Sequence, residues 1–117
     1  MAKNKNIENT HKGEPVEILF QAKNGDGTVI TDPANQTVIV TIGRTPKGEP
    51  ILRFDQSPQI ILLSVSDGEW FIQLAESALA GLVEEKTYHY NIWTRAAGGE
   101  PRLQAFGRLK RLPAVGP

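Results

Sequence analysis

The sequence contains no cysteine among its 117 residues. This absence excludes a disulfide framework, a thiol nucleophile and a thiolate metal site, so stability has to come from packing. Long hydrophobic runs are missing too, because the longest, residues 60–63, falls far short of the roughly 20 residues that span a bilayer. No apolar stretch follows the basic start at residues 3–6, so we expect neither a cleaved export signal nor a membrane span.

An excess of one charge sign is also lacking, since thirteen basic and thirteen acidic residues cancel. The chain therefore lacks the overall field expected of a nucleic-acid or membrane-surface binder. The charges are nevertheless segregated: residues 86–117 hold six Lys or Arg against Glu100 alone, which makes this segment +5 and the remainder −5. A hydrophobic fraction of 39% and a charged fraction of 22% indicate an ordinary globular domain.

From Pro15 onward, apolar residues recur mostly at a spacing of two, and turn signals interrupt them every eight to twelve residues. This pattern predicts an all-β, immunoglobulin-like sandwich of seven to eight antiparallel strands. The predicted strands are 16–22, 28–31, 36–43, 51–54, 60–65, 69–74, 87–95 and 102–109, with one short helical turn near 75–82 that Gly81 ends. Residues 1–13 are predicted to be a flexible arm, 14–111 the β-sandwich domain and 112–117 an extended tail. Trp70 alternates with Ile72 and Leu74, so it is predicted to lie in the core.

The last two strands flank Gly98-Gly99, which suits a two-residue hairpin turn and fixes a register that places Arg95 opposite Arg102. One face then pairs Tyr88 with Leu109 and Tyr90 with Gly107, and so opposes large and small side chains as a core does. The other face is cationic and aromatic, and carries His89, Asn91, Trp93, Arg95, Arg102, Gln104, Phe106 and Arg108.

This second face carries the candidate partner-binding residues, which are Trp93, Arg95, Arg102, Phe106 and Arg108. Opposed arginines are unfavourable in an isolated sheet, and Trp and Arg are enriched among the residues that dominate protein interfaces. We therefore expect contact with an acidic or aromatic partner, and a second contact from the tail at 111–117. Two alternatives remain open: the chain's own arm or tail covers this face, or the register differs.

Residues for catalysis are sparse, and we predict no catalytic, cofactor-binding or metal-binding residue. His11 lies in the polar arm, and His89 projects from a strand face with no second histidine or acidic residue at a ligand-like spacing. Glu84-Glu85 are adjacent in a corner and are interpreted as solvated, while Asp26 and Asp67 precede glycines as turn residues do. We accordingly expect no enzyme, no cofactor and no small-molecule substrate.

Residues 79–93, LAGLVEEKTYHYNIW, resemble the corner between the fifth and sixth strands of fibronectin type III and related immunoglobulin-like sandwiches. The resemblance implies that Tyr88 is a tyrosine-corner residue, with its hydroxyl hydrogen-bonded to the backbone a few residues upstream. The chain departs from that family because no tryptophan lies in its early strands and because the Cys…Trp…Cys spacing is absent.

A second resemblance covers about 12–115. The Asp26-Gly27-Thr28 turn, the strand at 37–42, the Tyr88-His89-Tyr90 strand and the final strand at 103–109 are similar to small structural β-sandwich proteins of tailed phages, such as upper-baseplate N-terminal domains. The resemblance implies a non-enzymatic protein of a virion or prophage particle, found in the virion or in the host cytoplasm during assembly. It would contact other virion proteins or itself as a homo-oligomer. The alternatives are a free-standing fibronectin type III-like module and a carbohydrate-binding module that uses Trp93, Asn91 and Gln104.

Overall fold

A computed structural model describes residues 3–30, 36–55, 60–66 and 69–113. These residues form nine strands and one short 3-10 helix. The strands are β1 Lys3–Asn4, β2 Ile7–His11, β3 Val16–Gln21, β4 Gln36–Gly43, β5 Pro50–Asp55, β6 Ile60–Ser66, β7 Glu69–Leu74, β8 Thr87–Ala96 and β9 Arg102–Leu112, and the helix spans Glu76–Leu79. The all-β prediction is thus confirmed, and the strands at 36–43 and 69–74 have the predicted bounds.

The strands form two sheets. A six-stranded sheet has the order β1-β9-β8-β4-β5, with β2 also pairing with β9, and a three-stranded sheet has the order β3-β7-β6. The pairs of β1 and β2 with β9 are parallel, and the other ladders are antiparallel, so the larger sheet is mixed. The prediction of antiparallel strands alone therefore misses this parallel edge.

Both sheets contribute to one hydrophobic core. In β3, Val16, Ile18 and Phe20 are buried while the residues between them are exposed, as the alternation predicted. β4 contributes Val38, Val40 and Ile42 from the larger sheet. Trp70 is fully buried in this core, packs against Phe20 with ring centroids 6.1 Å apart, and donates its indole N–H to the carbonyl oxygen of Ile30 at 2.9 Å. The polar end of the ring is thereby satisfied, which allows its complete burial.

Within the segment predicted as a flexible arm, residues 3–11 instead form the edge of the larger sheet. Lys5, between β1 and β2, donates its backbone N–H to the carbonyl of Phe106 at 2.7 Å. The buried Tyr90 hydroxyl donates to the Lys5 carbonyl at 2.5 Å. Gly107 lies directly beneath that carbonyl, so a Cβ at this position would overlap Lys5. The pairing depends on backbone hydrogen bonds and on the lack of a side chain at Gly107. It therefore needs no alternation of apolar residues, which explains why a polar sequence forms strands here.

Arg111 lies at the opposite end of this edge and is only 1% exposed. Its guanidinium donates to the carbonyls of His11 and Glu14, each at 2.5 Å, and to the Thr10 hydroxyl at 3.3 Å. Burial lowers the pKa of this guanidinium, while Glu14 opposes that shift. Arg111 is therefore a structural residue that ties the chain between β2 and β3, and its prediction as part of an exposed contact tail is wrong. β9 continues to Leu112, and residues 114–117 lie outside the described residues.

Some of the predicted turns and short elements are confirmed, and others differ in the structure. The turn at 24–27 is present, and Gly27 has a left-handed conformation with φ 90°. Asp26 accepts hydrogen bonds from the Thr28 hydroxyl at 2.6 Å and from the Thr28 backbone N–H at 3.0 Å. Both bonds lower the pKa of the Asp26 carboxyl. The predicted strand after this turn reduces, in the described part, to one bridge between Lys23 and Val29. The predicted helical turn is the 3-10 helix, but Ala80 rather than Gly81 follows its end. The predicted turns at 32–35 and 67–68 lie outside the described residues.

Candidate interaction surface

The hairpin of β8 and β9 has the predicted register over half of its length. Tyr88 pairs with Leu109, His89 with Arg108, Tyr90 with Gly107 and Ile92 with Ala105. The register then shifts, so that Trp93 pairs with Leu103 and Thr94 with Arg102. β9 therefore has one extra residue, Gln104, as in a β-bulge.

The bulge turns Gln104 away from the predicted outer face and into the protein, where it is 4% exposed. Its side-chain oxygen accepts the Lys23 N–H at 2.8 Å, and its amide nitrogen donates to the Lys23 carbonyl and the Thr94 hydroxyl, both at 2.9 Å. The two bonds to Lys23 link β9 to the chain after β3, and the third links β9 to β8. Gln104 is thus a connecting residue in the interior, and its predicted place on the cationic face is wrong.

The same shift separates the two arginines that the sequence opposed. Arg95 pairs with Thr37 of β4, while Arg102 pairs with Thr94, whose side chain is buried in the core. The Arg102 guanidinium lies beside the turn at Gly25, where an added Cβ would be 2.9 Å from its nitrogen. The predicted Arg95–Arg102 pair is therefore wrong, and Arg102 lies away from the face that carries Trp93.

The outer face of the larger sheet is the surface turned away from the core. Its central row runs across three strands, with Ile39 beside Trp93 and Trp93 beside Leu103. Ile39 is only 3% exposed although it points away from the core, and Trp93 is half-buried. Phe106 is half-buried in the next row, opposite Asn91. This face therefore has an apolar centre, in contrast to the solvated face that an antiparallel sheet often has.

The loop at 44–49 folds back over this face and divides it. The Asn91 side-chain amide donates to the Pro46 carbonyl at 3.4 Å, which places the loop above β8. On one side lies a groove with a volume of about 590 Å³, within the range of binding clefts. We call it the Trp93 groove. Its walls include the apolar Ile39 and Trp93, the prolines Pro46, Pro50 and Pro101, and the cations Lys47 and Arg53.

A smaller groove of about 190 Å³ lies on the other side of Pro46, and Phe106, His89 and Arg108 contribute to it. Arg108 is already paired, with its guanidinium 3.2 Å from the Glu8 carboxylate on β2. Since both side chains are about half exposed, this ion pair contributes little stability.

Outward-facing charges on β5, β8 and β9 are mostly cationic. The cations are Arg53, Arg95, Arg108 and Lys110, and the acid is Asp55. Arg53 lies 3.3 Å from Asp55, and both side chains are 58% exposed. Within the described residues, no salt bridge involves Lys47 or Arg95. The face therefore keeps a positive excess that favours an acidic partner.

Tyr88 and Tyr90, which the sequence places on the core face of the last hairpin, both belong to β8 and orient its outer side chains. Tyr88 is 2% exposed, and its hydroxyl accepts the Val83 backbone N–H at 2.9 Å, five residues upstream. This is the geometry that the tyrosine-corner resemblance implies. Tyr90 is 1% exposed and bonds to Lys5, and its burial raises the pKa of the phenol. Buried tyrosines thus alternate with the outward side chains of His89 and Asn91.

Sequence reasoning missed several groove residues. Ile39 lies within the continuous apolar run at 38–40, a pattern typical of strands buried on both faces, and this signal was available. Lys47 and Pro46 belong to a loop whose fold-back no periodicity predicts. Arg53 was not predicted as a groove residue because apolar and polar residues do not alternate cleanly in β5, so the sequence does not show which side chains face outward.

The described residues hold no group of three or more His, Asp or Glu side chains that a metal ion would bridge. His11 lies 3.2 Å from the Glu14 carboxylate at the exposed end of β2. Among the described helices none is long and apolar enough to cross a membrane.

Comparison with known proteins gives no family for the chain. No protein-family model matches it, and no curated protein matches it either.

Proposed function

We propose that the chain is a non-enzymatic structural protein of a phage or phage-like particle that acts through protein contacts on the outer face of its larger sheet. The observation that carries this proposal is the apolar, cationic character of that face. Trp93 and Phe106 remain half-buried there, with Arg95 and Arg108 nearby. Aromatic residues and arginine dominate the energetics of protein interfaces. Partners would be other virion proteins or further copies of the chain, in the virion or in the host cytoplasm during assembly.

The order of the strands supports an immunoglobulin-like sandwich as the architecture. In that fold, strands B, E and D are neighbours in one sheet, and G, F and C are neighbours in the other, with C′ next to C in the variable type. β3-β7-β6 and β9-β8-β4-β5 follow these two orders when β3 is taken as B and β9 as G. The bond between Tyr88 and Val83 lies at the corresponding corner.

The alternative of a carbohydrate-binding module is weakened, because the polar side chains expected to contact a sugar are engaged within the protein. Gln104, one of its expected polar contacts, uses its side chain on Lys23 and Thr94 inside the protein. Asn91, the other, donates to Pro46. A free-standing binding module would use the same face, and differs from the first proposal only in whether the protein belongs to a particle.

The proposal is tested on phage-like particles purified from cells that carry the gene. Quantitative mass spectrometry and immunogold labelling should find the protein in the particles at a fixed ratio to the major structural proteins. A variant with Trp93→Ala and Phe106→Ala should be lost from the particles. The matched control is Leu19→Ala, because Leu19 is an exposed apolar residue of the smaller sheet and should leave incorporation unchanged. A protein that is expressed yet absent from the particles would overturn the proposal.

A further inference from the structure

The corner between the 3-10 helix and β8 presents an apolar side chain beside two carboxylates. Val83 is 58% exposed, the highest exposure among the large hydrophobic residues described as exposed. Glu84 and Glu85 follow it and are also exposed. Within the described residues neither glutamate takes part in a salt bridge.

This acidic corner, residues 83–85, is held in place by its backbone. The Val83 N–H donates to the Tyr88 hydroxyl at 2.9 Å, and the Glu85 N–H donates to the Arg111 carbonyl at 2.7 Å. Glu85 has φ 62°, a left-handed conformation that non-glycine residues adopt only when their surroundings impose it. The corner is therefore a preorganised projection, so its ordering adds little cost on binding.

The Trp93 groove has the complementary character. Ile39, Trp93 and Pro101 provide apolar surface, and the charged residues that line it are the cations Lys47 and Arg53. Proline lacks a backbone N–H, so the walls at Pro46, Pro50 and Pro101 offer few donors for adding a strand. The groove thus suits an apolar side chain flanked by carboxylates.

We propose that the acidic corner of one copy of this chain binds in the Trp93 groove of a second copy. This inference rests on the proposed function, since it names the partner of the same face. The two surfaces cannot meet within one copy, because Trp93 lies six residue steps along β8 from Thr87, which is about 20 Å of strand. Each copy therefore carries one of each surface. Two copies form a closed dimer if both corners bind reciprocally, and a ring or filament if each copy binds a different neighbour at each surface.

Charge reversal tests the contact by sedimentation velocity over a concentration series. Wild type should self-associate, and more weakly at high salt, because screening reduces the attraction between exposed charges. Lys47→Glu with Arg53→Glu should raise the dissociation constant by about tenfold or more, and Glu84→Lys with Glu85→Lys should do the same. The control Glu17→Lys with Glu69→Lys makes the same charge change as the corner variant, but on the smaller sheet, and should keep wild-type association.

The decisive variant combines all four reversals in the groove and the corner. Its net charge equals that of wild type, and both surfaces are exchanged, so association should return to within a few-fold of wild type. Thermal melts of every variant establish that it folds.

A quadruple variant that stays monomeric, or a wild type that never associates, would overturn the proposed contact. Association that survives reversal of the corner but is lost with Trp93→Ala and Phe106→Ala would also overturn it, while leaving the proposed function intact. Absence from particles would overturn the proposed function whatever the corner does.

Discussion

Replacing Gly107 with alanine tests how the N-terminal strands are held. The new Cβ would overlap the Lys5 carbonyl. The glycine has no room to move because β9 lies between β8 on one side and β1 and β2 on the other. Lys5 would have to lift, which breaks its bond to the Tyr90 hydroxyl at 2.5 Å and its backbone bond to Phe106 at 2.7 Å. A buried hydroxyl left without a partner costs about 1–3 kcal/mol, and a typical lost bond adds about 1 kcal/mol. Gly107→Ala should therefore lower the free energy of unfolding by about 2–4 kcal/mol.

The assay is equilibrium denaturation in urea, and Gly81→Ala is the matched control. Gly81 is exposed, has no atom within 4 Å of an added Cβ and lacks a positive φ. Its substitution should change stability by less than about 0.5 kcal/mol, or stabilise slightly by restricting the unfolded chain.

A double-mutant cycle with Tyr90→Phe identifies the mechanism. Alone, Tyr90→Phe should cost about 1 kcal/mol, whereas in the Gly107→Ala background it should restore stability by about 1–3 kcal/mol, because it removes the buried hydroxyl that has already lost Lys5. Additive effects, or a Gly107→Ala variant as stable as the Gly81→Ala control, would refute the reasoning that the glycine makes room for the Lys5 carbonyl.

Three further outcomes follow from the buried polar contacts. Tyr88→Phe should lower stability by about 0.5–1.5 kcal/mol, since the Val83 N–H loses its acceptor; an unchanged urea midpoint would argue against the corner bond. Gln104→Leu should cost about 2–4 kcal/mol because Lys23 and Thr94 lose their partners, and a nearly neutral effect in thermal melts would contradict the inward bulge. Burial raises the Tyr90 pKa above its ordinary value of 10.0, so the stability from the neutral phenol is present below pH 10 and is lost as pH rises toward the folded-state pKa. Wild type should then lose more stability than Tyr90→Phe above pH 10, and parallel losses would count against a buried phenol.

Alternation predicted the strands whose side chains enter the core. The buried Val16, Ile18 and Phe20 show this for β3, and the pairing of Tyr88 with Leu109 shows it for the first half of the last hairpin. The bulge at Gln104 was not predicted because the alternation of apolar and polar residues does not encode an extra residue in one strand. The hydrogen bond that stabilises the bulge comes from Lys23, which is 81 residues away in the sequence.

The N-terminal edge could not be predicted for a related reason. β1 and β2 pair through their backbones with the last strand of the chain, so their polar side chains carry no signal of it. Arg111 looked like an exposed tail residue for the same reason, because its partners are carbonyls of His11 and Glu14 rather than acidic side chains. The candidate surface was found from Trp93 and Phe106, but its groove depends on the fold-back of the loop at 44–49.

Sedimentation velocity of the variant with Trp93→Ala and Phe106→Ala, beside thermal melts, tests the central claim that the outer face of the larger sheet is the contact surface. Assembly should weaken by more than about 2 kcal/mol, as expected for central aromatic anchors, while the melting temperature stays close to that of wild type. Unchanged assembly would contradict the claim, and a collapsed melting temperature would show that the two aromatic rings stabilise the fold rather than a contact.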